Sequence, residues 1–275
     1  MGRSEARLGL AAFSTVVALA LAELALRLLV PPAPTVVWRQ FADVAGERHG
    51  VVAEDIFASD PELFWRLAPN ITRPDDDWPL FGTISNAQGL REASDIPLRK
   101  KDGEVRILFL GDSCTFGDRL SMNDSYVHGV EERLQALFPG SPIECINAGV
   151  PGYTLFQGWR FLDTEGFNYE PDAVVLYFGW NDGASWSDKS DPEHYEALKA
   201  QQPPAALSWS RICQLLWQAM ASPYGKAPTT TDRPRLHPED YASLLATVRE
   251  ATERRQVDLL LLAGPHRNNI TSIFV

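Results

Sequence analysis

Val105-Arg106-Ile107-Leu108-Phe109-Leu110-Gly111-Asp112-Ser113-Cys114-Thr115-Phe116-Gly117 is the stretch on which the reading of this chain turns. Residues 105–110 are a short apolar run closed by a glycine, the pattern of a buried strand. Gly111 to Thr115, just after it, are small or polar. The rhythm then repeats twice. Ile143-Glu144-Cys145-Ile146-Asn147 is stopped by Gly149 and Pro151-Gly152, and Ala173-Val174-Val175-Leu176-Tyr177-Phe178 is stopped by Gly179. Between these runs, Val127, Val130, Leu134 and Leu137 recur at three- and four-residue spacing and predict a helix over 125–137, ended by Pro139-Gly140. Further helices are predicted over 155–165 and 238–255, and a fourth strand over 257–262. Strands alternating with helices predict an α/β fold whose parallel sheet is covered on both faces. Sites in such sheets lie at the carboxyl ends of the strands.

Composition narrows the function classes. The chain has 275 residues, 45% of them apolar and 22% charged, which excludes a disordered chain, a collagen-like repeat or a coiled coil. With 25 Lys+Arg against 36 Asp+Glu the net charge is −11, so nucleic acid is not expected as a partner. The longest basic run is Arg99-Lys100-Lys101. Cys114, Cys145 and Cys213 are too few and too scattered for a disulfide framework or a zinc site, and are expected to be reduced and buried. No metal-ligand spacing, Gly-x-Gly-x-x-Gly or Gly-Lys-Ser/Thr pattern occurs, so neither metal nor cofactor is expected.

Residues 8–30 are almost uniformly apolar and long enough to cross a bilayer, which takes about 20 helical residues. The two late charges, Glu23 and Arg27, are four apart and can pair on one face. Arg3 and Arg7 precede the run, which orients the N-terminus to the cytoplasm and sends the rest of the chain outward, to the periplasm or cell surface. Ala20-Leu21-Ala22 offers a signal-cleavage site as the rival reading, but the apolar run continues past it. Pro31-Pro32-Ala33-Pro34 stops the helix. The expected plan is a signal-anchor over 1–30, a spacer and N-terminal extension packed on the core over 31–100, and the α/β domain over 101–275. Residues 186–235 are polar and proline-containing, with one amphipathic patch at 207–220, and read as an insertion or lid.

Three strand ends carry the unusual residues: Gly111-Asp112-Ser113-Cys114, Asn147-Ala148-Gly149-Val150-Pro151-Gly152 and Gly179-Trp180-Asn181-Asp182. A serine directly after a buried strand is presented on a tight turn. Glycines free backbone N–H groups to point at a ligand, and an asparagine amide adds another donor. A serine nucleophile with two N–H groups and an amide is the equipment for acyl transfer through a tetrahedral oxyanion. Each turn alone is commonplace; three in order on successive strands are not. Asp182 is read as shaping its turn, and Cys114 as a small buried residue rather than a nucleophile.

The order and spacing resemble the SGNH/GDSL hydrolase superfamily of serine esterases and acyltransferases. The likeness covers about residues 80–265, and the anchor together with residues 86–91 resembles a membrane-tethered bacterial branch. It implies a flavodoxin-like three-layer α/β/α fold behind the N-terminal transmembrane helix. Gly111-Asp112-Ser113 falls on the first block, with Ser113 as nucleophile. Gly152 falls on the second-block glycine whose N–H faces the oxyanion, and Asn181 on the oxyanion asparagine. The implied activity is that of an exported serine ester hydrolase, esterase- or lipase-like or a carbohydrate deacetylase. Its substrate would be an acyl ester, on an O-acylated glycan or lipid. The alternatives are an O-acyltransferase on the same site, or a non-catalytic acyl- or glycan-binding or truncated relative.

The departure is the fourth block. The family carries Asp-x-x-His after a fifth strand, and no such motif occurs after Leu262. Without a base, serine is a poor nucleophile. His237 is followed by proline but has Pro234 rather than Asp three before it. His266 comes after the fourth strand without a neighbouring carboxylate. These two are weak base candidates; His128 reads as a helix-face residue, and His49 and His194 lack context. The chain therefore reads as C-terminally shortened relative to the family.

Overall fold

The computed structural model describes residues 3–30, 56–72, 85–185, 187–200, 202–204, 206–220 and 233–263. In chain order the elements are α1 (Arg3–Leu29), β1 (Phe57–Asp60), β2 (Phe64–Leu67), β3 (Val105–Gly111), α2 (Ser113–Phe116), α3 (Tyr126–Leu137), β4 (Ile143–Gly149), α4 (Leu155–Thr164), β5 (Ala173–Tyr177), α5 (Asp191–Ala200), α6 (Arg211–Met220), α7 (Pro238–Arg255) and β6 (Asp258–Leu261). They fall into two compact units. One comprises Met1–Pro34 and Tyr195–Lys226, the other Thr35–His194 and Ala227–Val275.

In the second unit, β4, β3, β5 and β6 lie side by side in that order, all parallel. Renumbered from β3 this is 2-1-3-4, the strand order of a flavodoxin-like sheet, with its topological switch at the end of β3. Strand pleating splits the core in two. Phe109, Cys145 and Val175 pack with Val127 of α3 on one face, joined by Val130 and Leu134. On the other face Leu108 reaches Gly166 beside Phe161 and Leu162 of α4, and α7 packs on α4 and β6. Helices on both faces make the three layers. Each fully buried Leu or Val in these layers contributes about 1.5–3 kcal/mol by leaving water. On β6, Leu260 and Leu261 are exposed.

Strands β3 and β4 run slightly further than their apolar runs suggest, because they continue through Gly111 and Gly149, which pair with each other, whereas β5 and β6 fall short of theirs by one and two residues. Two helices were not legible from periodicity. The four-residue α2 is too short to show any. The start of α5 shows the reach-back half of a capping box, in which Ser190 N–H and Oγ both donate to the Glu193 carboxylate (2.8 and 3.1 Å) with Pro192 between them.

Before the sheet, β1 and β2 form an antiparallel hairpin. Trp65, fully buried, donates from Nε1 to Pro151 O at 3.1 Å, and Tyr153 Oη donates to Trp65 O at 2.6 Å. The hairpin thus packs on the second turn motif. Asn86 folds residues 86–91 into a tight loop, its Oδ1 accepting from Gln88 N and Leu90 N. That loop delivers Arg91 N–H to Asn147 O (3.1 Å), and Glu92 Oε1 accepts from Asn147 N at 2.7 Å. Arg106 is buried within β3, yet its guanidinium is engaged by Glu144 and by the carbonyls of Pro97, Leu98 and Tyr169.

Removal from water, with Glu131 and Glu144 nearby, pushes the Glu92 carboxyl up to about 8. The folded chain therefore holds a proton that the unfolded chain has released, and Glu92 costs stability as pH rises from the ordinary carboxyl range through 8. The melting temperature of Glu92→Gln, minus that of the wild type, should rise steadily across this window. A difference that does not vary with pH would contradict the assignment.

Candidate active site

The sheet brings the three turn motifs to one level. Gly111 at the end of β3 is opposite Gly149 of β4 and Tyr177 of β5. Helix α2 lies directly across these ends, which requires missing side chains beneath it. A Cβ on Gly111 would fall 2.0 Å from Thr115 Oγ1, and one on Gly149 would fall 2.4 Å from Phe116 N. Asn147 adds a tie, its Nδ2 donating to Thr115 O at 2.9 Å. Arg91 stacks over Phe116 at 3.9 Å and donates to Leu120 O, bracing the segment after α2.

Ser113 is the first residue of α2, immediately after the Asp112 cap, whose carboxylate accepts from Cys114 N at 2.9 Å. Ser113 is half-buried, and neither its Oγ nor its backbone N–H has a partner among the described residues. Gly152 sits at φ +83°, in the left-handed region that favours glycine. Its N–H likewise has no partner among the described residues. Its carbonyl accepts from Arg235 Nη1 at 2.5 Å.

Asn181 joins the other two motifs. Its Nδ2 donates to Asp112 Oδ2 at 3.2 Å and to Tyr153 O at 3.0 Å. Asp112 is the residue before Ser113, and Tyr153 the residue after Gly152. Both amide hydrogens are therefore spent on the framework in this structure. Asp112 is buried, and burial raises its pKa. Asp182 holds its own turn, its Oδ2 accepting from Gly179 N, and also caps α4 by accepting from Leu155 N, both at 2.9 Å. Burial pushes Asp182 up to about 6. Trp180 is exposed on the same turn, and Trp159 is half-buried.

The three cysteines are free thiols, but only Cys145 is buried; Cys114 is exposed, a correction to the expectation that all three are enclosed. Position 114 is the second residue of α2, and its thiol meets the Tyr177 hydroxyl at the end of β5. Partial desolvation and the adjoining Asp112 carboxylate push the Cys114 thiol up to about 11, so it is not a thiolate at neutral pH.

Among the described residues no histidine is bonded to Ser113. His237 is the N-cap of α7, and its Nε2 accepts from Arg233 Nε at 3.3 Å. His194 is buried, bonded to Ser187 Oγ at 2.8 Å, and desolvation pulls its pKa down to about 4. His128 stands 3.8 Å from Glu132 on α3. His49 and His266 lie outside the described residues.

Sequence reasoning missed the ion pair behind Gly152. Arg235 and Asp191 are both buried and paired through Nε–Oδ1 (3.1 Å) and Nη2–Oδ2 (2.8 Å). Arg235 also reaches Gln157 Oε1, and Thr154 Oγ1 donates to Asp191 at 2.7 Å. The pair holds the 152–154 turn from behind. No local signal announces it, because the partners are 44 residues apart in a polar stretch. Removing one partner strands a buried charge, so Arg235→Ala should cost about 3 kcal/mol or more in denaturant unfolding. A loss below about 1 kcal/mol, the range of an exposed pair, would contradict this reading.

A model of the GDSL-like lipase/acylhydrolase family matches residues 109–273. No curated protein matches by sequence. Similar solved structures include TesA, at 18% identity and TM-score 0.37, covering 58% of this chain and 61% of that one. A variant of the esterase AlinE4 is 21% identical with TM-score 0.35, covering 61% and 64%. A variant of Axe2, an acetyl xylan esterase from Geobacillus stearothermophilus, is 20% identical with TM-score 0.34, covering 57% and 58%. The chain thus spans about three fifths of the length of these structures.

Proposed function

The chain belongs to the GDSL-like lipase/acylhydrolase family, and from that premise we propose that it is a membrane-anchored, exported serine ester hydrolase. Ser113 Oγ attacks the acyl carbon of an ester and gives its proton to a histidine base, for which His237 and His266 are the candidates. The oxyanion forms against Ser113 N–H, Gly152 N–H and the Asn181 amide. Collapse expels the alcohol, which takes up the proton, and water then releases the acyl group from Ser113. Each such donor is worth about 10²–10³ in rate. The observation that carries the reading is the Asn181 amide, bonded at once to the neighbours of Ser113 and Gly152 while those two N–H groups have no partner among the described residues.

The proposed plan keeps the anchor over 1–30, the extension over 31–100 and the hydrolase domain over 101–275, with the insertion at 186–235. The anchor is supported by the span Arg7–Leu29 of α1, which contains an 18-residue stretch of mean hydropathy 2.0 with no buried residue. The charges at Arg3 and Arg7 favour a cytoplasmic N-terminus. The substrate is an acyl ester of a glycan or lipid outside the cytoplasm, and acyl transfer is the same chemistry with a second alcohol in place of water. A second reading, a binding protein that has lost turnover, is favoured by one observation: no described histidine bonds Ser113.

Labelling of the full chain with a fluorophosphonate, read by intact mass, separates these readings. One adduct that disappears in Ser113→Ala is the expected result. A folded chain that takes no adduct would favour the binding protein, and an adduct that survives Ser113→Ala would remove Ser113 as nucleophile.

A further inference from the structure

Two charges inside an apolar helix call for an explanation, and the unit that contains α1 supplies one. Glu23 Oε1 accepts from Arg211 N at 2.7 Å, and its Oε2 accepts from Ile212 N at 3.1 Å and Ser210 Oγ at 3.0 Å. Ser210 Oγ in turn accepts from Cys213 N at 3.2 Å. The first three N–H groups of α6, which have no partner within their own helix, are thus all satisfied, two of them by a carboxylate from α1. The charge sits at the end of α6 where the helix dipole favours an anion. Arg27 closes the joint, donating to Glu23 at 2.6 Å and to Trp209 O, and Arg211 Nη2 donates to Val30 O at 3.4 Å.

The depth of this joint matters. At about 1.5 Å per residue, Glu23 lies about 9 Å in from Leu29, the end of the apolar span. That is the depth of the headgroup and acyl boundary, where amphipathic helices lie and tryptophans collect. Leu24, Leu28 and Leu29 of α1 are exposed, as are Leu207, Trp209 and Leu216 of the attached segment, Trp209 at 68% and Leu216 at 58%. The medium that covers the end of α1 is continuous with whatever covers these residues.

We propose that residues 206–217 are a membrane-docking element. They rest on the extracytoplasmic surface of the bilayer, and Glu23 is the key that fixes them to the anchor helix. This rests on the reading of α1 as a membrane span. The element would hold its unit of the protein at the lipid surface, not at the end of a loose tether.

The test uses the full chain in phospholipid vesicles with photoreactive benzoylphenylalanine in place of Phe13 or, separately, Leu216. Lipid adducts are expected from both positions. Glu23→Ala should lower the adduct at 216 about fivefold, the effect of losing a helix cap, and leave the adduct at 13 unchanged as proof of insertion. Glu23→Gln, which keeps one oxygen acceptor, should fall between. Adducts at 13 but not at 216 would overturn the docking element and leave the anchor standing. Adducts at neither position would overturn the anchor reading and the docking with it. An adduct at 216 that ignores both Glu23 substitutions would remove Glu23 as the key.

Discussion

The candidate site depends on a single side-chain amide. Asn181 reaches from the end of β5 to the residue before Ser113 and the residue after Gly152. That bridge adds to the ties that Asn147 makes to Thr115 O and Asp182 makes to Leu155 N, and it joins all three turns at once. The bridge is possible because β3, β4 and β5 end at the same level. It is protected because Asp112 and Tyr153, its acceptors, are both buried. A hydrogen bond to a charged, water-excluded acceptor is worth more than one at the surface. The supports stand behind it in layers: glycines that let α2 lie across the strand ends, the Arg235–Asp191 pair behind Gly152, and Asp182 tying the β5 turn to α4.

Much of this was legible in the sequence, and the reason is specific. Strands β3, β4 and β5 are mostly apolar because both faces of a parallel sheet are buried, and each is closed by a glycine that the packing of α2 or a left-handed turn requires. The three motifs could be placed at one edge because a parallel sheet sends every carboxyl end the same way. Long-range polar pairing left no such trace. Arg91, Arg106 and Arg235 are all buried, and two of them pair with carboxylates that periodicity cannot connect to them. The role of Glu23 was invisible for the same reason: its pairing with Arg27 is readable at i,i+4 spacing, but its capping of α6 joins positions about 190 residues apart.

The two units express one physical economy. Each uses a carboxylate to satisfy backbone N–H groups that would otherwise lack partners: Asp182 at the start of α4 and Glu23 at the start of α6. In the first case the result is a braced turn whose Asn181 reaches the residue before Ser113. In the second it is a fixed joint between an apolar anchor and an exposed apolar segment.

The central claim is that Ser113, Gly152 and Asn181 form one oxyanion site, although in the unliganded structure both Asn181 amide hydrogens are engaged by Asp112 and Tyr153. The most direct test is a crystal structure of the phosphonylated protein, whose tetrahedral adduct places an oxygen where the oxyanion forms. The account predicts that oxygen within hydrogen-bond distance of Ser113 N and Gly152 N, with the Asn181 amide turned from Asp112 toward it. An adduct oxygen directed into solvent, with Asn181 still bonded to Asp112 and Tyr153, would contradict it.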